Sequence, residues 1–419
     1  MSAALVEARL GRKPQDMLEA AVVLEAWAGI PPSRALASGR ALMPASPDAS
    51  QPSTGRVAEP PPRRRFALEA FALGVSVVAT ALWAAPLRAT IGAEGLRDAL
   101  AIALPLALGL QWGLSSRYLS RTAGAAVLAG HRAAIAAGFT LLVAAPTCAL
   151  GATGLVAGLL TVLWTGGTLL IRGGAALVYA TAVTIATAAV LDGAPALIAL
   201  GVLAATIAAV ALRRPRSTAR VTPGRWDRAL CAAAIGMLLG LLLVGDGSLG
   251  WIASPGEALL LVPSIVAGAW GSARLWQLPH TLSASLSGVR LTERPGALAL
   301  GILGRALGRT VAAALTLSLL AAELVPRSES GAARAVALTG FGLLAVVTLL
   351  ASVLESLGRG GWTLAALGAG ATVEVLAPPS FSGGALVAGA AVAIVLLLPA
   401  AIGPLRRPAV TLATGVWIP

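Results

Sequence analysis

Lysine is almost absent from this chain: of its 31 basic residues only Lys13 is a lysine. Acidic residues are few as well, 18 in 419 positions, and charged residues of all kinds make up 12%. A water-soluble globule of this length needs more polar surface than that composition and a mean hydropathy of +0.84 supply, so the chain belongs in a bilayer. The two histidines, His131 and His280, stand far apart, and there is no CxxC or HExxH. No metal, haem or other cofactor is therefore expected. The two cysteines, Cys148 and Cys231, fall inside apolar runs near opposite membrane faces and read as small buried hydrophobes, not as a disulfide. No apolar run follows the first charges directly, so no cleavable signal peptide is expected. The net charge of +13 is spread singly or in small groups between apolar runs, which speaks for orientation in a membrane and against nucleic-acid binding.

What the sequence has in abundance is apolar runs. Twelve are long enough to cross a hydrocarbon core of about 30 Å as helices. They lie at 66–87, 98–116, 133–151, 153–171, 175–192, 194–212, 229–245, 249–271, 297–322, 333–355, 361–377 and 383–404. Alternate loops collect the arginines, including the run from Arg213 to Arg228, while the others are nearly bare or of mixed charge. An even number of spans with both termini in the cytoplasm satisfies that bias at every step. Residues 1–43 read as a cytoplasmic helical hairpin, with helices from Met17 to Ala28 and from Pro32 to Met43. Residues 44–65 read as a Pro/Ser-rich linker ending in Arg63-Arg64-Arg65, and 409–419 as a tail.

The second half repeats the first. Ala67, Leu68 and Gly74 pair with Ala229, Leu230 and Gly236, and Pro105, Trp112 and Gly113 pair with Pro263, Trp270 and Gly271. Arg172-Gly173-Gly174 pairs with Arg359-Gly360-Gly361, and Leu212-Arg213-Arg214-Pro215 with Leu405-Arg406-Arg407-Pro408. The expectation is an all-α integral membrane protein in which a six-helix bundle over 66–212 and another over 229–408, joined by a cytoplasmic loop at 213–228, run parallel around a central cavity. The paired tryptophans suit the interfacial belt, and the paired prolines read as mid-helix kinks.

Charges inside spans are costly and become functional candidates. Arg305 and Arg309, spaced i, i+4 on one helical face, offer either a fixed positive site for an anion such as phosphate or two guanidinium groups snorkelling to the cytoplasm. His131 and Arg132 are candidates for the opposite wall of such a site. Glu257 and Glu374 are candidate ion-coupling residues, or lie near the outer interface.

The paired Pro-Trp-Gly and Arg-Gly-Gly elements, the two six-helix halves, the cationic interior candidates and the long middle loop together resemble the multidrug/oligosaccharidyl-lipid/polysaccharide exporter superfamily, and its polysaccharide flippases in particular. The resemblance covers about 66–408 and implies alternating-access export of a polysaccharide or lipid-linked oligosaccharide across the cell membrane. In that comparison Arg305 and Arg309 take the anion-binding role, and no catalytic residue is implied. Implied partners are membrane lipid, a lipid-linked or acidic glycan, and envelope-assembly enzymes docking on the N-terminal hairpin. A major-facilitator efflux transporter is the alternative, although the stretch from Gly113 to Arg121 lacks the Asp-Arg usual in that group. A non-catalytic scaffold of an envelope-assembly system is a further one. An enzyme is not expected, because the short external loops hold no acidic or histidine cluster.

Overall fold

The computed structural model describes residues 2–10, 13–14, 17–42, 63–116, 131–213, 226–245, 252–253, 257–275, 295–324, 331–377 and 382–406. All secondary structure among them is helical, as a chain in lipid requires of backbone that cannot bond to water. Six helices are long and apolar enough to cross a membrane, and a shorter apolar helix covers Leu259–Gly271. The long connecting loop at 214–225 and the tail from 407 lie outside the described residues.

In chain order the helices are α1 (Ser2–Leu10), α2 (Met17–Ala28), α3 (Pro32–Ala41), α4 (Arg63–Leu114), α5 (Arg132–Leu170), α6 (Ala176–Leu191) and α7 (Ala196–Arg213). There follow α8 (Trp226–Leu241), α9 (Val262–Leu275), α10 (Pro295–Leu324), α11 (Gly331–Ser356), α12 (Gly360–Leu376) and α13 (Ser382–Leu405). A π-helical turn, Ile171–Ala175, links α5 to α6, and a 3-10 turn, Glu257–Leu261, leads into α9.

Two of these helices are hairpins. A straight helix of 52 residues would run about 78 Å, more than twice the hydrocarbon thickness. The break in α4 is Gly92, at φ 80° and ψ 169°, backbone that only glycine adopts without strain. On either side of it Leu87 and Leu96, then Ala84 and Leu100, line one narrow cleft, so the two arms fold back on each other. Residues 88–97, expected as a loop, stay helical apart from Gly92, with Arg88, Glu94 and Arg97 exposed at the turn. The break in α5 is Gly151, at φ 58° and ψ −129°. Gly154 lies against the Pro146 and Thr147 backbone and Gly158 against Leu142 and Val143, a contact order only an antiparallel hairpin produces.

The remaining contacts fix relative directions. Ser76 Oγ and Tyr179 Oη are 2.8 Å apart and Trp83 Nε1 donates to Thr187 Oγ1 at 2.9 Å, so the first arm of α4 runs parallel to α6. Gly166 meets Ile207 and Gly201 approaches Leu159, which makes the second arm of α5 parallel to α7. Gly268 meets Ala345 and Gly271 meets Leu349, which makes α9 parallel to α11. By contrast α12 and α13 are antiparallel, held by the backbone contact of Gly370 with Gly389 and by Trp362 Nε1 donating to the Leu396 carbonyl at 3.0 Å.

Four expectations need correction. The run 249–271 is not one continuous α-helix: Ile252 and Ala253 are α-helical, and a 3-10 turn, Glu257–Leu261, then precedes the α-helix that starts at Val262. Pro263 therefore sits in a first turn, where its missing N–H costs nothing, and not in mid-helix like Pro105. Cys148 is exposed on the outer arm of α5, and only Cys231 is partly buried; both are free. The N-terminal hairpin gains a third helix, α1, whose Val6 is fully buried against Ala20, Ala21, Leu24 and Ala35. A pair of short helices exposes too much apolar surface on its own, and α1 covers it. Gly29, at φ 63°, ends α2 as expected, and the Arg9 guanidinium stacks 4.0 Å from the Trp27 ring centroid. This small bundle touches the membrane helices through α3 and α10.

Candidate functional site

The closest approach between early and late helices is a glycine seam. The second arm of α4 carries Gly109-Leu-Gln-Trp-Gly113 and α8 carries Gly236-Met-Leu-Leu-Gly240, two repeats of the small-xxx-small spacing that lets helix backbones touch. They do touch: Gly113 lies against Ala229 and Ala233, Gly236 against Leu108 and Gly109, and Gly240 against Leu104 and Pro105. The contacts advance along one helix while receding along the other, so the seam is antiparallel. Backbone atoms and the Ala233 methyl group fill most of it, and the Met237 side chain packs against Gly109.

At the Gly113 end of the seam sits a charged cluster. Glu355, near the end of α11, hydrogen-bonds Ser116 and lies close to Arg172 and Arg228. Ser116 follows α4, Arg172 belongs to the π turn between α5 and α6, and Arg228 opens α8. One carboxylate thus ties four elements together. The sequence alone places Glu355 near a membrane face in contact with water; the structure makes it half-buried and paired.

Near the other end of the seam, two sequence registers meet a structural contact. The register that pairs Gly74 with Gly236 also pairs Trp83 with Gly245, and the register of the two Arg-Gly-Gly elements pairs Thr187 with Glu374. In the early helices Trp83 and Thr187 are hydrogen-bonded partners. In the late helices Gly245 and Glu374 are likewise neighbours, because any side chain added at Gly245 would run into the Glu374 carboxyl. Glycine in place of the indole leaves the slot to the carboxylate.

Glu374 is 6% exposed, and its Oε2 has no hydrogen-bond partner among the described residues. A Cβ added at Gly389 of α13 would stand 3.4 Å from its Cβ, and α13 offers no side-chain oxygen over residues 385–393. Among the described residues no three His, Cys, Asp or Glu side chains gather as a metal site would need. A bare carboxylate in such surroundings is costly, so the position calls for a counter-charge, either a proton or a small cation completed by backbone oxygens.

The other predicted site residues are scattered. Glu257 opens the 3-10 turn before α9, half-exposed and with contacts of its own. His131 is the N-cap residue of α5 and Arg132 its first residue; both are half-buried and engaged with neighbours. They are not brought to Arg305 and Arg309. Helix α5 packs on α4 and α7, whereas α10 packs on α9, α11 and α13. Both arginines lie on the exposed face of α10, and Arg305 Nη1 folds back along its own helix to within 3.6 Å of the Cβ direction of Gly301. The glycine seam and the Gly245–Glu374 neighbourhood were missed as sites, although both GxxxG spacings and the extended register were present in the sequence.

These features define an all-helical, multi-span membrane protein. No known protein family matches the chain, and no curated protein or solved structure matches it. The class therefore rests on the helices and their contacts alone.

Proposed function

We propose that this protein is a membrane transporter working by alternating access, its twelve spans forming two six-helix halves, 66–212 and 229–408, related by an axis along the membrane normal. The directions of the helices support the reading. Every parallel pair joins spans of the same parity in chain order and every antiparallel pair joins spans of opposite parity. Contacts recur between halves as well: α4 on α6 answers α8 on α12, and α5 on α7 answers α11 on α13.

The observation that carries the proposal is the glycine seam between α4 and α8. Two backbones in contact through glycine and alanine carry few large side chains to disengage when they separate and rejoin, Met237 against Gly109 being one of them. The Glu355 cluster at one end of the seam acts as a latch that must open when that end parts. Glu374 in the second half is the coupling residue, taking up a proton or cation that reports which way the halves are rocked. Export of a polysaccharide or lipid-linked oligosaccharide remains the proposed cargo class on the strength of the resemblance. It no longer draws support from Arg305 and Arg309, which face away from the seam.

The test is a reversible lock. In a Cys148→Ala, Cys231→Ala background, Gly113→Cys and Ala233→Cys bring their Cβ atoms within reach of a disulfide: a Cβ at 113 stands 3.0 Å from that of Ala233, and parting the helices by about 0.5–1 Å opens that to the separation a disulfide spans. Oxidation should stop surface-polysaccharide export and reductant should restore it. Undiminished export from fully cross-linked protein would overturn the mechanism. Loss of rocking, read from spin-label distances between Arg213→Cys and Arg406→Cys variants, with no effect on polysaccharide would leave the mechanism and overturn the cargo.

A further inference from the structure

We infer that Arg305 and Arg309 form a phosphate site for an anionic phospholipid, on the outer face of α10 and in the leaflet at its Pro295 end. The inference needs only that the protein sits in a membrane, and is independent of the transport reading. Helix α10 has 30 residues, about 45 Å, and so is longer than the hydrocarbon core. Measured back from Leu324, Arg309 lies roughly 22 Å and Arg305 roughly 28 Å along the axis. With Leu324 at one interface, the pair falls at the other, within the reach of a bent arginine.

The face they occupy is exposed from Arg305 to Leu319. Ala312, Thr316 and Leu319 continue it, all exposed, Leu319 at 71%. Among the described residues the elements packed along α10 are α9, α11, α13, the 3-10 turn and α3, and none belongs to the first six spans. An exposed apolar stripe that changes to two arginines within one turn marks the step from acyl chains to headgroups. Arg305 bends toward the Pro295 end, as a side chain reaching for headgroup phosphate must.

The backbone around the pair is shaped for close approach. Gly304 and Gly308 stand beside the arginines, and a Cβ at either would meet nothing within 4 Å. A phosphate can therefore settle against the helix surface between two guanidinium groups set one turn apart. Each supplies a planar fork of donors that matches phosphate oxygens. No acidic side chain lies on this face between Arg305 and Leu320, so nothing competes for the arginines there. Charge complementarity thus selects an anionic headgroup over a zwitterionic one.

Native mass spectrometry of the full-length protein released from nanodiscs of mixed phosphatidylglycerol and phosphatidylcholine tests the assignment. The wild type should retain phosphatidylglycerol in preference. Arg305→Ala with Arg309→Ala should lose that preference by about 30-fold, taking roughly fivefold for each basic residue at an anionic surface. Arg305→Lys with Arg309→Lys should fall between the two, keeping charge without the fork. Both pairs are exposed, and unchanged helicity and monodispersity in the variants serve as the folding control. A preference equal in wild type and double alanine variant would overturn the proposal, as would no preference in the wild type. Displacement of the lipid by millimolar inorganic phosphate would also overturn it, by assigning the site to the free anion.

Discussion

Adding one methyl group to α8 and one to α10 should move stability in opposite directions. At Gly236 a Cβ would be driven into the Leu108 carbonyl and would stand 2.7 Å from the Leu108 carbonyl carbon and 3.0 Å from Gly109 Cα. All three are backbone atoms of α4, which cannot swing aside as a side chain does, so relief requires the two helices to part along the seam. Overpacking of this kind costs about 1–3 kcal/mol. At Gly304 the same methyl meets nothing within 4 Å, and replacing an exposed helical glycine by alanine contributes about 0.5–1 kcal/mol of stability. The two variants should differ by about 1.5–4 kcal/mol in reversible unfolding in mixed micelles, with wild type between them. A Gly236→Ala protein as stable as wild type would refute the backbone contact at the seam. A Gly304→Ala protein destabilised by about 1 kcal/mol or more would show that this face of α10 is packed, and would remove the lipid site with it.

Gly151→Ala should destabilise the α5 hairpin by about 1–3 kcal/mol, because φ 58° with ψ −129° is closed to residues with a Cβ; protease sensitivity between 132 and 170 reports it, and wild-type resistance would refute the hairpin turn. Glu374→Gln keeps the size of the side chain and removes its capacity for charge, so the protein should accumulate normally and lose coupled transport. Transport at the wild-type rate in that variant would remove Glu374 from the mechanism.

Most of the helical organisation was legible because hydropathy reports burial in lipid directly. Helix α2 begins and ends where the pattern puts it, and the gap between the first two apolar runs holds the Gly92 turn. What hydropathy does not report is whether a polar connection remains helical. Residues 88–97 carry Arg88, Glu94 and Arg97, which read as loop, yet their Ala, Leu and Ile neighbours favour helix and a single glycine makes the reversal. The opposite error occurs in 249–271. That run is apolar throughout its later part, yet Glu257–Leu261 is a 3-10 turn and Pro263 stands just behind it in the first turn of α9, where proline suits a helix start better than a helix interior. Helix α1 escaped for another reason: nine residues are too few for a periodic signal, and only packing on α2 reveals its purpose.

The site was legible only in fragments, because depth in a membrane and direction around a helix are separate quantities. Spacing put Arg305 and Arg309 on one face, correctly, but no spacing within α10 says which neighbours that face meets. Its partners on α9, α11 and α13 decide that, and they turn the arginines outward. Glu374 shows the converse. Its burial could not be read from α12 alone, yet the two repeat registers taken together place it opposite Gly245, at the position where the first half sets Thr187 opposite Trp83. On the proposed reading of two related halves, a contact is kept while its chemistry is exchanged, a neutral hydrogen-bonded pair for glycine beside a buried carboxylate, and that exchange would locate a functional difference between them. That difference lies in two positions 129 residues apart by their numbering, and neither is unusual in its own helix. Only the pairing makes them so.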